Sequence, residues 1–124
     1  VIEMMKEIKA FVRPSETDPI VHGLESIGVG AMTITTVDAL GTLVDEQHRR
    51  LSTQYVKRYS CVHKIEIVCR EEDVDRIVSL IRRVGHTGEP GDGIIYVSGV
   101  ERAVKIRTGG EDAAALDGLP PSGS

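Results

Sequence analysis

Aromatic residues make up only 3% of this 124-residue chain: three Tyr, one Phe and no Trp. Stacking platforms for unpaired bases are built from such rings, and the formal charge of −4 has the same sign as a phosphate backbone. Nucleic acid is excluded as a partner on both counts. No run approaches the ~20 apolar residues of a membrane span, so no direct membrane insertion is expected. The opening VIEMMKEIKAFV has neither the charge order nor the cleavage site of a signal peptide. Cysteine is nearly absent: Cys61 and Cys69 stand alone with no CxxC. A disulfide framework is unsupported, and a reducing cytoplasm fits this usage. The histidines His22, His48, His63 and His86 are scattered, and no metal-ligand or serine–histidine–acid cluster emerges.

What remains is an ordinary globular composition, 40% apolar and 27% charged, in a length suited to one domain. Residues 5–13, MKEIKAFVR, alternate, with Ile8, Ala10 and Val12 on one face: a strand. Pro14 ends it, and SETDP offers Thr17 or Asp18 as a helix N-cap with Pro19 at the first helical position. Ile20, Val21, Leu24 and Ile27 form the apolar stripe of that helix, and Gly28 suits its C-terminal cap. A second strand is expected over roughly Val29 to Val37, and a third over 61–70, CVHKIEIVCR. Between them residues 38–60 keep no period, which predicts a long mobile loop. EEDVDRIVSLIRRV, 71–84, reads as a helix with acids first and arginines last, as the helix dipole prefers. The strand IIYVS follows, and the last stretch reads as a tail. The domain is thus placed at 1–112, with 113–124 a disordered tail.

The order β-α-β, loop, β-α-β predicts an α+β ferredoxin-like sandwich, an antiparallel sheet with both helices on one face. Val62 and Val68 share the other face with Lys64 and Glu66, a mixed surface suited to burial by another subunit. The chain is therefore expected to be a homo-oligomer.

HTGEPGDG, 86–93, precedes the last strand with three glycines. Successive amides in such a turn make an anion cradle because no Cβ blocks approach. It is neither a P-loop nor a dinucleotide fingerprint, since its order is G-x-x-G-x-G after a helix. On its own it reads first as a helix-to-strand turn. The run KIRTGG adds weight to the cradle: Lys105 and Arg107 alternate around Ile106, so both cations leave one side of an extended segment.

Taken together, TGEPGDGIIYVSGVERAVKIRTGGEDAAAL resembles the C-terminal signature of the PII signal-transduction proteins, TG-x-x-GDG followed by a basic R-x-R-TG segment. The resemblance extends to 5–116, with MKEIKAFVRP, GAMTITTV and HKIEIV similar to the family's first three strands. It implies a non-enzymatic homotrimer that binds ATP, ADP or AMP in clefts between subunits. Thr33 and the backbone near Glu66 and Val68 would face adenine. Gly41, Thr42, Gly88, Gly91, Asp92, Gly93, Lys105 and Arg107 would line the phosphates. The long loop would dock on a target protein, a membrane transporter or an enzyme of nitrogen metabolism. Tyr55 stands where many bacterial relatives carry a modified tyrosine.

The departures are chemical. Ile94 replaces a lysine after GDG, and Thr42 replaces an arginine, removing two phosphate-facing cations. Leu43 replaces the glutamine that holds Mg²⁺ and 2-oxoglutarate, and Val62 the lysine that pairs with the 2-oxoglutarate carboxylate; the basic residue at Arg13 is kept. These changes imply that 2-oxoglutarate adds little, and they leave Mg²⁺ open. His48, Arg49 and Arg50 give the loop a basic centre. The alternative is a PII-like regulator of a cation or bicarbonate transporter that does not sense 2-oxoglutarate. An enzyme on the same fold is a weaker alternative: acylphosphatase chemistry needs a glycine loop after the first strand, and RPSETDP has no glycine.

Overall fold

A computed structural model describes residues 4–40 and 59–116, apart from the side chains of Tyr59 and Ala113. Its elements are β1 (Met5–Val12), α1 (Pro14–Ser26), β2 (Thr33–Leu40), β3 (Tyr59–Arg70), α2 (Val74–Gly85) and β4 (Ile94–Val100). The sheet order is β2-β3-β1-β4, and every neighbouring pair is antiparallel. Ile8, Ala10 and Val12 of β1 and Ile65, Ile67 and Cys69 of β3 form one buried face. Against it pack Ile20 and Leu24 of α1 and Ile77, Leu80 and Ile81 of α2. This is the expected ferredoxin-like α+β sandwich. The two helices cross where Gly23 meets Leu80; a Cβ at Gly23 would lie 2.9 Å from a Leu80 methyl.

Several boundaries differ from expectation for local reasons. Helix α1 begins at Pro14, with Arg13 at the N-cap, so Thr17 and Asp18 lie inside it and Pro19 is an internal residue. Proline forces Arg13 into extended backbone (φ −63°, ψ 139°) and itself supplies the first helical φ. The C-terminus closes as expected on Gly28, whose φ is +96°. Gly28 N–H donates to Glu25 O and Val29 N–H to Leu24 O, a Schellman pair. That closure holds Val29 in the core, so β2 starts at Thr33 and not at Val29.

The hairpin of β2 and β3 is longer than expected. Asp38 pairs with Cys61, Ala39 with Ser60 and Leu40 with Tyr59, so both ends of the stretch assigned to the loop, 38–60, belong to the sheet. Ala39 and Ser60 are both buried there, which fixes the pairing. Residues 113–116, assigned to the tail, belong to a 3-10 helix, Asp112–Leu116, in contact with β3. Burial of Leu116 ties it down.

Candidate functional site

The glycine loop between α2 and β4 is organised around one carboxylate. Asp92 Oδ2 accepts from the Thr87 N–H (3.0 Å) and the Gly88 N–H (2.9 Å), and Oδ1 accepts from the Thr87 hydroxyl. Arg13 Nε donates to the same Oδ1 at 3.0 Å. Its Nη2 donates to two loop carbonyls, Pro90 O at 2.6 Å and Glu89 O at 3.3 Å. Burial by itself would raise the Asp92 carboxyl, but these donors outweigh it and hold the group well below the usual carboxylate range. Gly91 and Gly93 take φ of +102° and +95°. A Cβ on Gly93 would sit 1.8 Å from Phe11 O, so only glycine permits the loop to close on β1.

This geometry changes the roles expected of two residues. The Gly88 N–H is spent on Asp92, and Asp92 has both oxygens committed to donors of the loop and Arg13. The Asp92 carboxylate therefore shapes the loop from within. None of the hydrogen bonds within that internal network is donated by the amides of Gly91, Asp92 or Gly93. Beside them opens a cleft of ≈ 380 Å³ whose walls include Phe11, Val12, Ile81, Ile94 and Ile95. Its wall is apolar next to the loop, and Ile94 is 40% exposed. His86 stands at the cleft with Nδ1 3.7 Å from Asp92 Oδ2, an ion pair only when the ring is protonated.

The remaining expected residues fall into two other groups. Thr33 pairs with Glu66 where the β2–β3 ladder ends, and β3 continues past it through Val68 to Arg70 without a β2 partner. Glu66 is held by Lys64 at 3.0 Å, and in register they share the open face with Val62 and Val68. Val62 itself is already buried, 5% exposed.

Lys105 and Arg107 do not lie on an extended segment. The chain turns at 106–108, with Gly109 N–H donating to Lys105 O (2.7 Å) and Lys105 N–H to Gly110 O (2.8 Å). Gly109, at φ +72°, permits that turn, and Val104 bridges to Glu111 below it. The argument from a shared side therefore fails: these cations flank a turn tip at which Ile106 is 99% exposed. Gly41, Thr42 and Tyr55 lie outside the described residues, as do Leu43, His48, Arg49 and Arg50.

The three groups do not converge within one copy. The glycine loop precedes β4 and the basic turn follows it, so the seven residues of β4 hold them apart, about 20 Å at ~3.3 Å per residue. Thr33 is on one edge strand and the glycine loop joins the other, three strand spacings away, or about 14 Å. Both edge strands expose apolar side chains, among them Ile34, Leu40, Tyr96 and Val97.

Sequence reasoning missed Arg13 as a loop ligand, and nothing local signals it, because Asp92 is 79 positions away. Thr87 was legible in principle, since Thr and Asp flanking glycines favour self-bonded turns.

Fold and loop together define a ferredoxin-like α+β domain with an internally braced glycine turn at one end of the sheet. A family model described as nitrogen regulatory protein P-II matches residues 5–110. The nitrogen regulatory protein P-II of Klebsiella oxytoca is 37% identical over 112 residues, covering 90% of this chain and 100% of that protein. Nitrogen regulatory protein P-II 1 of Escherichia coli K12 matches equally, at 37% with the same coverage. Among solved structures, Arabidopsis thaliana PII bound to citrate superposes with a TM-score of 0.76 at 26% identity, covering 90% of this chain and 92% of that one. A Bacillus subtilis GlnK–ATP complex gives 0.72 at 29% identity, covering 91% and 98%. The chain belongs to the P-II family of signal-transduction proteins.

Proposed function

We propose that this chain is a cytoplasmic, non-enzymatic regulator. As a homotrimer it binds an adenine nucleotide between neighbouring copies and controls a target protein through the segment between β2 and β3. The observation that carries the reading is the glycine loop itself, with Gly88, Gly91 and Gly93 at positive φ around a network that Asp92 and Arg13 hold in place. A loop that needs no reorganisation loses little entropy on binding phosphate. The cross-copy arrangement is favoured by the distances within one copy, since Lys105 and Arg107 reach a glycine loop only on a neighbour. Thr33, Glu66 and Val68 line the adenine side in this reading, and Gly91, Gly93, Lys105 and Arg107 the phosphate side.

The nucleotide sensed is ADP or AMP at least as much as ATP. Ile94 and its apolar neighbours line the cleft beside the loop, with Arg82 as the cation in its lining, so a third phosphate would be desolvated there with fewer charged partners than a lysine at position 94 would give. Nor does the described site suit a dicarboxylate. Val62 is buried and apolar, and Arg13 already serves Asp92, Glu89 O and Pro90 O. Those observations support a regulator that does not sense 2-oxoglutarate; the target is an enzyme of nitrogen metabolism or a membrane transporter, with a PII-like regulator of a cation or bicarbonate transporter as the alternative reading. Isothermal titration with ATP, ADP and AMP, each with and without Mg²⁺ and 2-oxoglutarate, tests both. ADP or AMP binding no weaker than ATP is expected. An ATP affinity that rises about tenfold when Mg²⁺ and 2-oxoglutarate are added together, worth ~1.4 kcal/mol, would overturn it.

A further inference from the structure

Resting on the nucleotide reading above, we propose that Arg13 is the positioning residue of the phosphate loop: it never touches phosphate, yet it sets the shape that phosphate binding requires. The guanidinium reaches three acceptors spread over the loop, Glu89 O, Pro90 O and Asp92 Oδ1. A planar fork with fixed N–H directions spans such a set; a lysine ammonium on a flexible stem does not. The arginine is itself rigidly mounted. Its side chain is only 16% exposed. Its carbonyl, at the N-cap of α1, accepts from Glu16 N–H (3.0 Å) and from the Thr17 hydroxyl (3.3 Å). Thr17 Oγ1 lies 2.7 Å from His63 Nδ1 on β3, which anchors this end of α1 to the sheet. With Asp92 drawn to Arg13, the Thr87 and Gly88 amides are committed inside the loop, and Gly91 and Gly93 carry the positive φ that wraps the chain around that carboxylate.

The test uses the full chain and two variants, Arg13→Lys and Arg13→Gln, with ADP and adenosine as probes and amide exchange at Thr87 and Gly88 as an independent readout. Both variants are expected to bind ADP about tenfold more weakly, the scale of one charged hydrogen bond, while adenosine affinity stays unchanged because no phosphate is involved. Exchange at Thr87 and Gly88 is expected to speed up by a similar factor. Arg13→Lys binding ADP like the parent would overturn the proposal, and so would equal losses for ADP and adenosine, which mark general destabilisation. If the parent chain binds no ADP, the nucleotide reading falls by itself. Positioning of the loop by Arg13 then rests on exchange alone, and unchanged protection in Arg13→Lys would end it.

Discussion

Gly93→Ala is the most demanding test of the loop geometry. An alanine there meets two separate obstacles. The backbone sits at φ +95°, where a side chain costs about 1–3 kcal/mol. The new methyl would lie 1.8 Å from Phe11 O, a backbone atom that cannot swing aside. Relieving that contact moves β4 off β1 at its first pair, Ile94 with Phe11, at a further ~1–3 kcal/mol. A loss of about 3 kcal/mol is expected, which shifts the urea midpoint by about 2 M at ~1.5 kcal/mol per M. Two other glycines calibrate the scale. Gly109→Ala carries only the conformational term, because φ is +72° but nothing lies within 4 Å of its Cβ, and should lose about 1 kcal/mol. Gly99→Ala has open space and no positive φ, and should change stability by no more than about 0.5 kcal/mol. All three are compared by urea denaturation at one protein concentration, since assembly shifts the midpoint by mass action. Gly93→Ala unfolding at the Gly109→Ala midpoint with an unchanged slope would refute the close-approach argument.

Light scattering at micromolar concentration should give three times the 13.5 kDa chain mass, and a monomer mass would remove the basis for a cross-copy site. Replacing Lys105 and Arg107 together with Ala should sharply weaken ADP binding by titration; unchanged affinity would place the phosphates elsewhere. The depressed Asp92 carboxyl makes the loop acid-sensitive. Its contribution is complete above the unfolded value near pH 4 and is lost as pH falls through the lower folded value. Asp92→Asn should therefore flatten the acid limb of stability, and an identical acid limb would show the network is not linked to folding. Burial, then the charge of Asp73, pushes the Cys69 thiol up to about 11. At pH 8 a thiol reagent should accordingly label exposed Cys61 and spare Cys69 until denaturant is added.

Legibility followed the range of the interactions. The alternation of Ile8, Ala10 and Val12 and the α1 stripe with Ile20, Leu24 and Ile27 report burial directly, and both pack into the core as expected. Gly28 was readable as a cap because its φ is dictated by the helix just before it. Boundaries failed where one residue serves two neighbours. Pro14 both ends β1 and opens α1, and pattern reasoning assigned it only the first role. KIRTGG alternates like a strand, yet its TGG closes a turn, and the turn decides the path of the backbone. The loop's inner network was the least visible part. Asp92 looks like a phosphate neighbour when only nearby residues are considered, and becomes a structural ligand once Arg13 arrives from the other end of the chain.

That arrival has a consequence for biogenesis. Among the described residues β4 pairs with β1 alone, and Arg13 meets Asp92 once that pairing is in register. Closing so long a stretch of chain is among the slower and entropically costlier steps of folding such a domain. A polypeptide still growing on the ribosome, or clipped before Ile94, therefore has no β4 to hold the loop against β1 and Arg13. The glycine loop should take its final shape only when β4 has docked, so a partly made copy lacks the braced turn that a finished one carries.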